Sequence, residues 1–353
     1  MSNTTRTNNV QTLTYDNSFG DHNVNVLVGH EYYRTHGGSL GASARGAFTE
    51  DILEINAFAS VPKGSASSYS TNYNVEGYFA SAQYNYQNKY YGSLSFRRDA
   101  SSNFYKKNRW GNFWSVGGAW IVSKEDFFSV PWVDILKLKA SIGQQGNESV
   151  GGYNWIDLYN LTPSDDTHMS ASFSSLGNKG ITWETTTNFN VGAEFSLWQG
   201  RLSGEVDFYN KKTTDLLFWL SVPESVGARG YYGNMGDIRN YGVELSLNGS
   251  IIRTRDFQWN ANLNLSHNDT RVLSLPDAKT GDVGGFTESG YWYEKGKPMY
   301  NDFSVRYAGV SDQGKALFWV DKDVKNDSTR PGKNQDYTTD DFNEASYYEN
   351  GCI

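Results

Sequence analysis

Arg97, Arg98, Asp99 and Arg109 crowd into one short stretch of the chain. Guanidinium groups beside a carboxylate form strong, geometrically specific hydrogen bonds, so this group is expected to act as a charge network. The competing reading is a set of loop charges, which water satisfies without partners. A second set is aromatic: Tyr153, Trp155 and Tyr159, then Trp219, Tyr231 and Tyr232, then Trp292 and Tyr293. The first six fall in long connections between the regular segments described below, and Trp292 and Tyr293 lie near the last of these connections. Flat aromatic faces there could stack on sugar rings or pack against a second protein, and these residues are the candidate contacts for substrate or partner. The alternative is packing within the loops, because long ordered loops need a core of their own.

Other chemistries find no support. The five histidines, His22, His30, His36, His168 and His267, lack ligand spacing, and the single cysteine, Cys352, has no partner for a disulfide or a thiolate pair. Asp321, Asp323, Asp336, Asp340 and Asp341 lack the fixed spacing and glycine of a calcium loop and read as a solvated acidic segment. Ser266 and His267 are neighbours, but adjacent residues of a strand face opposite sides, which denies them a shared active site. No enzyme, metal or cofactor is expected.

The elements that carry these residues have a period of two. Phe257, Trp259, Ala261, Leu263 and Leu265 alternate with Gln258, Asn260, Asn262, Asn264 and Ser266. Val243, Leu245 and Leu247 alternate with Glu244, Ser246 and Asn248, and the same pattern runs through 185–197 and 201–211. Each is a strand with one apolar and one polar face. About eleven strands are read, at 9–18, 23–35, 75–86, 90–99, 110–122, 136–143, 185–197, 201–211, 239–251, 257–268 and 291–308. Their connections alternate in length: those at 19–22, 87–89, 198–200 and 252–256 are tight, those at 36–74, 144–184, 212–238 and 269–290 are long, and 100–109 and 123–135 are medium, the latter an exception to the alternation. In an up-and-down meander, alternate connections lie at one end. The sheet should therefore have tight turns at one end and long loops at the other, which is the asymmetry of a transmembrane β-barrel. A soluble sandwich would also alternate faces, but Greek-key crossings would scramble the parity. Trp198, Trp259, Tyr84, Tyr86, Tyr90 and Tyr91 near strand ends suit the aromatic girdles of such a barrel.

Composition agrees. Lys and Arg number 31 against 39 Asp and Glu, a net charge of −8, which argues against nucleic acid as a partner. Aromatics make up 15% of the chain, too many for a disordered segment. No run reaches the roughly 18 apolar residues of a membrane helix, which says nothing against strands. Met1 to Asn9 is polar and does not read as a signal peptide.

Five segments, at 78–102, 109–126, 136–147, 181–217 and 233–248, resemble in this order the barrel of the SusC/RagA family of TonB-dependent outer-membrane transporters. The likeness rests on Arg98, Asp99, Ser101 and Ser102; on Arg109, Trp110, Gly111, Ser115, Trp120 and Glu125; and on Leu136, Lys137, Ser141, Gly143, Gly146 and Asn147. Ala100, Trp114 and Lys139 stand where the family pattern has Gly, Pro and Arg. The resemblance implies an all-β, antiparallel up-and-down barrel of about twenty-two strands in outer-membrane lipid. It implies TonB-dependent import of glycans or oligopeptides, a SusD-like surface lipoprotein over the extracellular loops, and energy from TonB-ExbB-ExbD. In such a barrel the charge-network reading of Arg97, Arg98, Asp99 and Arg109 is an internal ion-pair network near the extracellular rim. A passive porin-like channel is the alternative. Against the family pattern, residues 1–353 hold about half a barrel, without signal peptide, TonB box, plug or closing strands. The expectation is an open fragment whose first and last strands do not pair.

Overall fold

The computed structural model describes residues 2–350 except 53, 63 and 166; Cys352 and Ile353 lie outside the described residues. Ten long strands form one antiparallel sheet in strict chain order. They are β1 (Ser2–Phe19), β2 (His22–Gly41), β3 (Ser67–Tyr86), β4 (Tyr90–Ser101), β5 (Trp110–Ile121), β6 (Val133–Asn147), β7 (Glu184–Leu197), β8 (Leu202–Thr214), β9 (Asp237–Arg253) and β10 (Gln258–Ser274). Each pairs only with its chain neighbours, and β1 and β10 do not pair, so the sheet is an open, curved barrel wall.

The period-two pattern sets the two faces. Across β8, β9 and β10, Val206 lies opposite Leu245 and Leu245 opposite Leu265, while Asp207 lies opposite Glu244 and Glu244 opposite Ser266. Val243, Phe257, Trp259, Leu263 and Leu265 lie 44–58% exposed; no second sheet covers them. A soluble sandwich would have buried this row. The polar row, with Asn25, Gln83, Asn85, Ser93, Ser141, Asn190 and Glu244, lines the concave side.

Each outward row has two ends. In β2 it runs His22, Val24, Val26, Val28, His30; in β4, Tyr90, Gly92, Leu94, Phe96, Arg98; in β5, Trp120, Gly118, Val116, Trp114, Asn112. Eight residues of strand tilted by some 40° rise about 20 Å, close to the height of an outer-membrane apolar band. At the lower border the rings of His22, Tyr86, Tyr90 and Trp120 follow one another with centroids 4.7–6.4 Å apart. The Glu125 carboxylate caps this girdle, accepting from Tyr90 Oη at 2.5 Å and Trp120 Nε1 at 2.8 Å. Trp198 stacks on Trp132 across the next turns, with centroids 5.9 Å apart. Tyr84, Tyr86, Tyr90 and Trp259 face outward with the girdle, whereas Tyr91 faces the lumen, since it follows Tyr90 on a strand.

The tight turns gather at that end. The Gln87 N–H donates to the Asp21 carbonyl at 2.9 Å, and the Trp198 N–H to the Trp132 carbonyl at 2.9 Å. Gln87 and Asn88 both have φ of 52°, the paired left-handed turn whose twist matches that of a hairpin. All long loops lie at the other end, as their parity requires.

The expected eleventh strand, 291–308, is not part of this sheet. Tyr291–Glu294 pairs with Gly285–Glu288, Phe303–Val305 with Tyr347–Glu349, and Tyr307–Val310 with Ala316–Val320. Gly290 and Gly296 have φ of 83° and 85° and turn the chain back at both ends of the first piece. The apolar residues go into a satellite core instead: Trp292, Phe303, Val305, Val320 and Tyr348 are all at most 5% exposed. The acidic segment beyond it is built in too. The Asp321 carboxylate accepts from the N–H groups of Asp323, Lys333 and Asn334. Burial pushes that carboxyl up, and the three donors outweigh it and hold it below the usual carboxylate range.

Candidate functional site: lumen wall and extracellular rim

The strands put a charge network on the concave wall. Lys137 and Lys139 are two apart on β6 and share its lumen face. Glu194 lies directly opposite Lys137, and Lys137 Nζ is 3.1 Å from it. Lys139 reaches further and touches three carboxylates: Asp207 at 3.0 Å, Glu205 at 3.2 Å and Glu194 at 3.5 Å. It crosses β7 at Gly192, where a Cβ would stand 2.1 Å from Asp207 Oδ1. The glycine is what lets the Asp207 side chain fold over its neighbour strand. These residues escaped the sequence reading, although Lys-x-Lys, Glu194 and Glu-x-Asp on successive strands were visible. What was missing was the register that brings them together.

Higher on the same wall Arg97 Nε donates to Asp99 at 2.8 Å and Nη2 to Glu31 at 2.8 Å, and the guanidinium lies over the Phe79 ring. So of the four clustered charges two meet here, joined by Glu31 from β2. Arg98, one residue on, points to the opposite face and lies 5.0 Å from the Trp110 ring. Arg109 lies just before β5 at the loop end, its carbonyl accepting from Trp183 Nε1 at 2.9 Å. The structure thus does not gather the four residues into one network.

At the rim, Phe104, Ile181 and Trp183 form a buried cluster, with Phe113, Val150, Trp155, Leu217 and Tyr232 packed around it. Trp183 is the hub, with ring centroids 5.3 Å from both Phe104 and Phe113. Gly111 and Gly146 leave room for the Phe113 ring, which comes within 2.4 Å and 2.2 Å of where their Cβ atoms would be. Beside this cluster Glu148 accepts from Asn103 Nδ2 at 3.3 Å and from the Tyr73 hydroxyl, tying β3, the 102–109 loop and the 148–183 loop together. Burial first, then the nearby Asp99, pushes the Glu148 carboxyl up. A carboxyl raised in the folded state adds stability below its unfolded pKa and loses it as pH rises through the folded one. The rim should therefore melt higher at about pH 5 than at neutral pH, and Glu148→Gln should flatten that difference. Tryptophan-fluorescence melting checks it; an unchanged pH slope in the variant would show that the titrating group lies elsewhere.

The loop aromatics mostly pack on each other. Trp155 meets Tyr105 at 5.6 Å, Tyr159 meets Phe173 at 4.9 Å and Trp219 meets Tyr232 at 5.2 Å. Trp292 is 1% exposed, under Phe303, and presents no face to a ligand. Tyr293 stacks on Phe286, with centroids 5.2 Å apart. Tyr159, at 57% exposure, is the most open of the candidates; Trp219, Tyr231 and Tyr232 are partly covered. Among the described residues, no group of three His, Cys, Asp or Glu side chains is placed to hold a metal. Ser266 faces the lumen opposite Glu244, and His267 faces outward opposite Val243.

Comparison with known proteins agrees with this wall. Residues 1–349 match the family described as TonB dependent receptor-like, beta-barrel. The chain is 32% identical over 279 residues to TonB-dependent receptor P3 of Formosa agariphila, covering 78% of this chain and 28% of that protein. It is 28% identical over 333 residues to TonB-dependent receptor SusC of Bacteroides thetaiotaomicron, covering 91% of this chain and 32% of that protein. The chain thus spans about a third of the length of these relatives. The RagAB peptide transporter superimposes with a TM-score of 0.85 at 27% identity, over 99% of this chain and 38% of that one. The outer membrane transporter YddB of Escherichia coli shares the fold, with a TM-score of 0.58 at 8% identity. An outward apolar band between two rims, a charged lumen wall and these relatives lead to one assignment: the chain belongs to the β-barrel family of TonB-dependent receptors, in its SusC/RagA branch, and resides in the outer membrane.

Proposed function

We propose that the chain supplies part of the barrel wall of a TonB-dependent importer that carries glycans or oligopeptides across the outer membrane. The observation that carries this reading is the lumen face: a polar wall of Asn, Ser and Gln crossed by paired charges, behind a mainly apolar exterior. Such a wall can hold a plug by hydrogen bonds and ion pairs and let it slide when pulled, whereas an apolar wall could not. The kinship with SusC and with the RagAB peptide importer supports the cargo classes. On this reading the plug and the segment that meets TonB-ExbB-ExbD belong to the remainder of the receptor, and a SusD-like lipoprotein covers the loops. Tyr159, Trp219, Tyr231 and Tyr232 are the proposed contacts for cargo or lid, with Tyr293 at their margin, and Arg97 with Asp99 and Glu31 belongs to the lumen network.

The test is uptake of fluorescent oligopeptides and oligosaccharides by cells carrying the complete receptor, with and without functional TonB. Import of one class that vanishes without TonB supports the proposal and names the cargo. Import that persists without TonB favours the passive porin-like channel.

A further inference from the structure

The upper border of the apolar band differs from the lower one in charge. At the lower border the outward rings end on the carboxylate of Glu125. At the upper border, eight residues along β4 from Tyr90, stands Arg98. It faces outward, is exposed, and lies over Trp110 with no carboxylate within 4.0 Å among the described residues. Trp110 stacks in turn on Tyr78, with centroids 6.2 Å apart, and Tyr78 lies 4.8 Å from the His30 ring. A run of aromatic rings, successive planes inclined by 37° and 29°, thus spans β2 to β5, with the guanidinium on its end. The nearby carboxylate on this face, Glu76, is engaged by the Tyr78 hydroxyl at 2.8 Å and by His30 at 3.5 Å.

The loop that joins β4 to β5 adds cations. Lys106 and Lys107 are exposed and form no ion pair among the described residues. Lys179, on the loop packed against it through Asn108, sits over the Tyr105 ring, also without a carboxylate. Elsewhere at this end Lys212, Lys315 and Lys325 have each found an acid, Asp237 at 3.5 Å, Asp340 at 2.6 Å and Glu344 at 2.7 Å. The group around Arg98 has not. Its place, immediately above Phe96 and Leu94 in the outward row, makes it continuous with the lipid-facing band. A cation there borders hydrocarbon on one side and headgroups on the other, and is stabilised by an anion at headgroup height. A ring that offers a flat face beside such a cation suits a sugar.

We propose that Arg98, Trp110, Lys106 and Lys107 form an outer-leaflet site for a phosphorylated glycolipid, with the guanidinium and ammonium groups on the phosphate, the Trp110–Tyr78 shelf against the sugar and the acyl chains along Phe96 and Leu94. The site does not depend on what passes through the lumen.

The complete receptor that carries this chain, purified in nonionic detergent, is titrated with diphosphoryl lipid A and with its dephosphorylated form, and bound lipid is counted by native mass spectrometry. Heat-modifiable migration in SDS gels confirms that each variant is folded. Near an anionic surface each Lys or Arg is worth about fivefold in affinity, so Arg98→Gln should weaken diphosphoryl lipid about fivefold and Arg98→Gln with Lys106→Gln and Lys107→Gln by about a hundredfold. Arg98→Lys, which keeps the charge and loses the planar stack, should fall between wild type and Arg98→Gln. The dephosphorylated lipid should bind wild type and triple variant alike. Equal binding of the two lipids to the wild type, or an unchanged triple variant, overturns the site. Displacement of the lipid by inorganic phosphate or a soluble sulfated oligosaccharide at equal concentration also overturns it, by making the patch a site for soluble anions.

Discussion

Replacing Trp183 by alanine is expected to destabilise the extracellular rim by about 3–5 kcal/mol, the cost of deleting a large aromatic from a packed core. Trp183 is 8% exposed and is the hub of the buried rim cluster. Its ring contacts Phe104 of the 102–109 loop and Phe113 of β5, and its Nε1 donates to the Arg109 carbonyl. Alanine leaves a cavity and removes one of the two donors to the Arg109 carbonyl, the other being the Ser101 N–H at 3.2 Å. The lower girdle shares no residue with this cluster and should not respond. Limited proteolysis of the complete receptor should accordingly open the 148–183 loop while the barrel stays heat-modifiable. Trp183→Phe, which restores most of the volume but not the donor, should recover most of the loss. A rim that resists protease as the wild type does would mean that the loops are held from outside this cluster.

The second large effect belongs to Lys139. It is the common partner of Glu194, Glu205 and Asp207, and Asp207 lies directly opposite a fourth carboxylate, Glu244. Lys139→Met would leave these acids facing one another. Removing one member of a buried network costs about 3–5 kcal/mol; Lys139 is 30% exposed on a wet wall, so about 1–3 kcal/mol is the appropriate scale. Lys139→Arg should restore most of it, since guanidinium can serve two carboxylates at once. Unfolding in urea with the barrel in detergent measures this. The Lys139→Met loss should shrink on lowering the pH through the carboxylate range, because the repelling groups then take up protons. A loss independent of pH would assign Lys139 a packing role rather than an electrostatic one.

The parts of this protein that could be read from the residues alone are those set by a local repeat. The rows at Val243 and Phe257 declared their faces, because a strand with one apolar side has only one way to sit between lipid and water. Loop parity followed from the same meander. The segment at 291–308 misled for a physical reason: Tyr291 to Glu294 and Phe303 to Val310 alternate acceptably, but Gly290, Gly296 and Pro298 break the run, and the aromatic residues were destined for a satellite core. Arg98 was grouped with Arg97 by proximity in sequence, and the pleat put them on opposite sides of the wall. Lys139 was invisible as a network hub, since its partners are on other strands and nothing short of the register brings them within reach. Trp292 looked like a binding aromatic and is a core residue; composition does not distinguish the two.

The strict chain-order pairing of the ten strands has a mechanical consequence. Among the ten long strands, every backbone ladder joins chain neighbours, so a pull applied at one end loads a single ladder at a time. In single-molecule force spectroscopy the wall should come apart as a sawtooth of separate hairpin extractions rather than in one rupture, with the tight turns as the joints between steps. The same property leaves each hairpin free to be threaded into the sheet as it arrives, with neighbours supplying the template and no crossing to undo.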